Sequence, residues 1–151
     1  MNIRILSPGR VRESYLRDAI EAARRDLARH CPVDLVEVED SPDTWPVERA
    51  LTAEADRIRS RLRPNDYLIA LDLAGQWVKP DREGTIRPQL ERWRGQAQGD
   101  LVFLIGGSNG LAPDLLRSCR ERILLSRMTF THQMARLILL EILANAWRSK
   151  V

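Results

Sequence analysis

Five consecutive apolar residues, Leu101 to Ile105, run directly into Gly106 and Gly107, with Gly110 shortly after. A run so short and so uniformly apolar fits a strand covered on both faces, as parallel strands of α/β proteins are. Paired glycines at its end let the backbone pass close to a ligand, because no side chain stands in the way. In open α/β sheets, ligands bind at the carboxyl ends of the strands, where this loop would lie. A second exit follows the same logic: Ile123 to Leu125 ends in the hydroxyl-bearing loop Ser126 to Thr131. Two such exits could wall one small-molecule pocket. Their spacing does not name the ligand.

The rest of the chain alternates strand and helix signals. Asn2 to Leu6 reads as a strand closed by the turn residues Ser7, Pro8 and Gly9. Leu16, Ala19, Ile20, Ala23 and Leu27 keep helical spacing, and Pro32 ends that helix. Val33 to Val38 alternates apolar and acidic residues as a half-buried strand does. Thr44 is the expected N-cap of a helix that starts near Pro46 and carries Val47, Leu51, Ala55, Ile58 and Leu62 on one stripe. Tyr67 to Leu71 is a buried strand exiting at Asp72 to Gly75, and Gln76 to Gly84 reads as a loop. Ile86, Leu90, Trp93 and Ala97 mark a third helix; a short one spans about Pro113 to Cys119, and the last runs from about Gln133 to Arg148. No repeat or linker divides the 151 residues. The expectation is one α/β domain, residues 1–151, with a mostly parallel sheet.

No apolar run is long enough to span a membrane, and Cys31 and Cys119 have neither metal-ligand spacing nor a CxxC pattern. They read as reduced, buried or half-buried thiols of a cytoplasmic protein that holds no metal. Lys79 and Lys150 are the only lysines among 24 basic residues. Arginine suits bidentate phosphate contacts and base stacking, although a genome rich in arginine codons would give the same bias. The net charge of +3 therefore permits an RNA partner without requiring one. Arg10, Arg12 and the arginines of the first two helices are candidate RNA contacts; for Arg24, Arg57 and Arg59 a solvated face laced with Glu and Asp is at least as good an account.

Between Gln133 and Trp147 only Arg136 and Glu141 carry charge. A helix apolar all round must be buried, and in a domain of this size one side is expected to meet a second copy, unless the helix is simply central in the monomer. Arg136 then needs a partner, either a carboxylate across the dimer or an RNA phosphate. His30, near a helix end, reads as a solvated capping residue.

In sequence order the chain carries Leu71-Asp-x-x-Gly75, then Leu104-Ile-Gly-Gly-x-x-Gly110, then Leu125-Ser-x-Met-Thr-Phe-x-His-Gln-Met-x-Arg136. With Gly9-Arg-Val-Arg12 and the stretch Glu54 to Leu62, this pattern resembles the RlmH family from Met1 to about Trp147. Those are SPOUT-class methyltransferases that modify a pseudouridine at N3 in bacterial large-subunit ribosomal RNA. The resemblance implies a SPOUT-type sheet flanked by helices with a C-terminal trefoil knot, an obligate homodimer, and S-adenosyl-L-methionine as methyl donor. It also implies the assembled ribosome as partner. Cofactor contacts carry over to Leu71, Asp72, Leu73, Gly106, Gly107, Ser126, Arg127, Met128, Thr129, Phe130 and Thr131. A valine at Gly107 is accordingly expected to block the cofactor.

The chain departs from the family pattern at Thr131, where proline is usual, at Lys79-Pro80, where a serine-rich loop is common, and at Arg148-Ser-Lys-Val151, where a tail ending in Pro-Tyr-His is typical. The last departure feeds an alternative, a relative that keeps the fold and pocket and binds RNA or ribosomes without methylating. For the reaction itself, N3 must lose a proton, so a group that accepts it or stabilises the developing anion is required. His132 and Arg136, one helical turn apart beside the loop, are the candidate catalytic residues. For His132 a helix-start or interface role, a substrate-positioning role and a general-base role all stand.

Overall fold

A computed structural model describes residues 2–78, 86–126, 128 and 130–148. The elements, in order, are β1 (Ile3–Pro8), α1 (Ser14–Ala28), β2 (Val33–Val38), α2 (Val47–Arg59), β3 (Tyr67–Trp77), α3 (Ile86–Gln96), β4 (Leu101–Leu104), α4 (Pro113–Ser118), β5 (Glu121–Leu124) and α5 (His132–Arg148). The strands form one parallel sheet in the order β2-β1-β4-β3-β5. β4 is buried along its whole length, as its unbroken apolar run requires. Because all the strands run the same way, their carboxyl ends share one rim, and the chain crosses β3 after β4 to set β5 at the far edge.

The two-residue period of the strands sorts their side chains into two cores. Leu101, Phe103 and Ile105 face α1, α3 and α5, while Val102 and Leu104 face α2 and α4 through Ala55, Ile58 and Leu115. Trp93 meets Phe103 edge-on at 6.1 Å, and burying each such side chain contributes roughly 1.5–3 kcal/mol. Arg4, buried on β1, is held by Asp66 at 2.8 Å and by the Arg61 carbonyl. Buried ion pairs of this kind are tolerated because the guanidinium has fixed partners.

Several expectations shift. β1 runs on through Pro8, the last residue that pairs with β2. β3 continues to Trp77 instead of ending at Leu71, since both Leu71 and Gln76 pair with Ile123 and the intervening residues bulge. Gly75 permits this: a Cβ there would stand 2.7 Å from the Arg122 carbonyl carbon and the Ile123 nitrogen. The alternation rule missed the extension because a bulge breaks the period. Thr44 does not cap α2; Pro46 occupies the cap position, with no side-chain cap bond. β5 begins at Glu121, earlier than expected, and α5 begins at His132. His30 does more than sit in solvent: its ring stacks on Trp147 at 5.9 Å. Lys79 and Pro80 lie outside the described residues.

α5 is largely internal to the monomer, packed against α1 and α3. Its buried residues include Ala135, Leu139, Leu140, Leu143 and Ala146, and Glu141 and Asn145 are exposed. Cys31 and Cys119 are both free and half-buried, as expected. Burial pushes the Cys119 thiol up to about 11 and also raises that of Cys31, so neither is a ready thiolate. Arg24 pairs with Glu21 and Arg59 with Asp56 and Asp114, as a solvated face laced with carboxylates would, whereas Arg57 instead donates to the Glu39 carbonyl and Ser41 Oγ.

Candidate active site

The carboxyl ends of β3, β4 and β5 open into a cavity of about 740 Å³. Three loops at the strand ends supply much of its wall, each for a local reason, and Glu13, Tyr15 and Leu16 at the start of α1 line it as well. The β3 bulge brings Leu71, Asp72 and Leu73. The turn after β4 brings Gly106 and Gly107, closed by the Gly110 amide donating to the Gly107 carbonyl at 3.0 Å, with Gly110 at φ 78. The loop after β5 brings Ser126, Met128, Phe130 and Thr131 and leads into α5. Here Ser126 Oγ accepts the Met128 amide at 3.0 Å, and Thr131 Oγ1 accepts the Met134 amide at 3.2 Å at the start of the helix.

Nine of the residues singled out for a cofactor thus meet in one cavity; Arg127 and Thr129 lie outside the described residues. They are not equivalent. Leu73 and Met128 are exposed at the rim, whereas Leu71 and Phe130 pack against the core. The Asp72 carboxylate accepts the Ala74 amide and lies 3.9 Å from Arg122.

The two glycines also differ. A Cβ on Gly106 would come within 2.3 Å of the Gly110 backbone. On Gly107 it would meet Glu54 Oε1 at 3.4 Å and Pro8 at 3.8 Å. Glu54 is buried, and its other oxygen accepts the Ser41 amide at 3.0 Å. In the sequence it stands out only as part of the stretch Glu54 to Leu62. A lone glutamate at a helix position otherwise given to the apolar face (Leu51, Ala55, Ile58) was the available signal.

His132 lines the cavity, and Arg136 does not. Burial first, then the charge of Arg136, holds the imidazole below 6.5, while Asp40 and Glu54 act in the opposite sense. His132 is therefore neutral at neutral pH and able to accept a proton. The same shift has a stability consequence. Above 6.5 the ring is neutral in both folded and unfolded chain; below it, the unfolded chain takes up the proton first. Stability due to His132 is thus complete above 6.5 and is lost as pH falls toward the lower folded value. Urea titrations on either side of pH 6.5 are expected to show a smaller acid loss for His132→Gln than for the wild type. Equal losses would refute the assignment.

Arg136 has a different setting from either one expected. Its guanidinium bonds Glu37 of the same chain at 3.0 Å and the carbonyls of Pro8 and Gly9, each at 3.0 Å. It ties α5 to the end of β1. Beside it, Gln133 donates to the Arg10 carbonyl at 3.3 Å.

Residues 1–148 match the family model described as predicted SPOUT methyltransferase. The chain belongs to the SPOUT methyltransferase family. A relative within reach of this SPOUT chain is the ribosomal RNA large subunit methyltransferase H of Bifidobacterium animalis subsp. lactis (strain AD011), 36% identical over 153 residues, covering 98% of this chain and 94% of that protein. The fold is shared with TrmJ from Z. mobilis ZM4, at a TM-score of 0.51 and 18% identity over 97% of this chain and 70% of that one. AviRb from Streptomyces viridochromogenes, solved in complex with the cofactor AdoMet, matches at a TM-score of 0.48 and 16% identity, over 97% of this chain and 58% of its own.

Proposed function

We propose that this SPOUT protein methylates N3 of a pseudouridine in large-subunit ribosomal RNA, acting on the assembled ribosome as a homodimer with S-adenosylmethionine as donor. The observation that carries the proposal is the single cavity uniting the β3 bulge, the glycine turn and the loop before α5, in a chain whose relative is named a large-subunit RNA methyltransferase.

The cavity suits this donor. Its volume lies within the range of about 300–1,000 Å³ usual for cofactor sites. Leu71, Ile105, Leu125 and Phe130 offer an apolar slot, and Gly106 and Gly107 leave backbone groups accessible at its edge. Among the described lining residues Glu13 and Asp72 are acidic and none is Lys or Arg, which favours a ligand of net positive charge. S-adenosylmethionine supplies an electrophilic methyl group on a cationic sulfonium. The protein's own contribution is alignment, exclusion of water and handling of the N3 proton. Neutral His132 stands at the cavity wall to accept that proton, and Arg136 holds the β1 exit beside it.

The half-buried stripe Met134, Leu137 and Ile138 on α5 supports a dimer through this helix. The family's trefoil knot belongs to the same proposal. The test is transfer of labelled methyl from S-adenosylmethionine to purified ribosomes lacking the modification, with the product nucleoside identified by mass spectrometry. N3-methylpseudouridine is the expected product. Donor binding without transfer would overturn the proposal in favour of a non-methylating ribosome binder.

A further inference from the structure

We infer that Tyr15 is the platform on which the target base stacks while its ring nitrogen is presented to the cavity; this rests on the ribosomal RNA proposal above. Tyr15 sits in the first turn of α1 and is 72% exposed. The helix buries Leu16, Ile20, Ala23 and Leu27 and does not use Tyr15 for packing. Yet Tyr15 lines the cavity.

Its company narrows the explanation. Five large hydrophobic side chains are exposed among the described residues, and three of them, Tyr15, Leu73 and Met128, border this one cavity. Scattered single apolar residues on a surface need no account, but a cluster around one opening marks a binding rim. An aromatic ring at such a rim suits an occupant that is flat, apolar on its faces and joined to negative charge. The β1–α1 connection that leads to Tyr15 carries Arg10 and Arg12, both exposed and in no ion pair among the described residues. Glu13 lines the cavity and Arg10 and Arg12 do not, so the basic charge lies outside the pocket itself, where it is available to the phosphates that flank an inserted base.

The chemistry asks for such a platform. N3 of a uracil-type base lies on its pairing edge, so a paired, stacked base cannot present it. Enzymes acting there must take the base out of its stack, and an aromatic face restores part of the stacking lost. A tyrosine is sequence-tolerant as a platform because every base has a π-face. Selection of the pyrimidine-sized target then falls to the cavity.

The experiment is steady-state methyl transfer to unmodified ribosomes by the full-length wild type, Tyr15→Ala and Tyr15→Phe, with donor affinity by calorimetry and dimer mass by sedimentation. Tyr15→Ala is expected to lose roughly ten- to a hundredfold in kcat/KM for ribosomes, the usual effect of removing one stacking ring. Its donor affinity, melting temperature and dimer mass should be unchanged, and Tyr15→Phe should restore most of the activity. Full activity in Tyr15→Ala would overturn the inference. So would loss of the dimer or of donor binding, which would make Tyr15 an interface or cofactor residue. An inactive wild type would instead overturn the ribosomal RNA proposal itself.

Discussion

Gly106→Ala is expected to weaken donor binding and cut methyl transfer sharply while leaving the sheet folded. The added Cβ would stand 2.3 Å from the Gly110 carbonyl carbon and 2.5 Å from its oxygen. Those atoms are backbone, so no side chain can swing aside and the whole turn must move. The turn is short and closed on itself by the 3.0 Å bond from the Gly110 amide to the Gly107 carbonyl. A misplacement of about 1 Å between reacting groups costs on the order of 10²-fold in rate. Calorimetry with S-adenosylmethionine should therefore show weakened affinity, and methyl transfer should fall by about that factor or more, with far-UV circular dichroism unchanged. Wild-type affinity in this variant would place the donor elsewhere. At Gly107 a Cβ would make only ordinary contact, 3.4 Å from Glu54 Oε1 and 3.8 Å from Pro8, so a side chain there acts on the space open to the ligand and leaves the turn in place. Gly107→Val remains expected to block the cofactor by filling its space, whereas the tertiary contacts show that Gly106→Ala acts by moving the turn itself.

Arg136→Met is expected to destabilise the fold by roughly 2–5 kcal/mol, the cost of leaving two buried carbonyls without a partner at about 1–3 kcal/mol each. Arg136 is 4% exposed and carries three bonds of 3.0 Å. Methionine fills much of its volume and supplies no donor, so the Pro8 and Gly9 carbonyls would lose their side-chain partner. Glu37 is half-exposed and can turn to water, so most of the loss falls on the two carbonyls. Urea unfolding at neutral pH measures this directly. A loss below about 1 kcal/mol would mean that water replaces the guanidinium at no real cost. The effect should reach the site as well, because Pro8 and Gly9 open the connection that carries Glu13 and Tyr15 to the cavity.

What was readable in advance follows from which interactions are local. Leu101 to Leu104 are buried on both faces, and a continuous apolar run is the local signature of that state. The glycine turn was legible because a backbone approach leaves its mark in residue type. Helices α1 and α2 were legible from one-sided apolar stripes. The extension of β3 was not, since it depends on Gly75 packing against β5, nearly fifty residues away in the chain. Nor could the stacking of His30 on Trp147 be read from either residue's neighbours.

By itself, the sequence determined the alternation of strands and helices, the strand exits that make a pocket, and the motif combination that marks the family. These are carried by short-range periodicity and by residues whose type their backbone position demands. Tertiary structure alone decided the strand order, and with it which exits share a rim. It also decided that Arg136 bonds within its own chain to Glu37, Pro8 and Gly9. A buried guanidinium must be paired, and the sequence can state that need. Which of many carboxylates and carbonyls meets it depends on how β1 and α5, more than a hundred residues apart, are brought together by packing around one sheet.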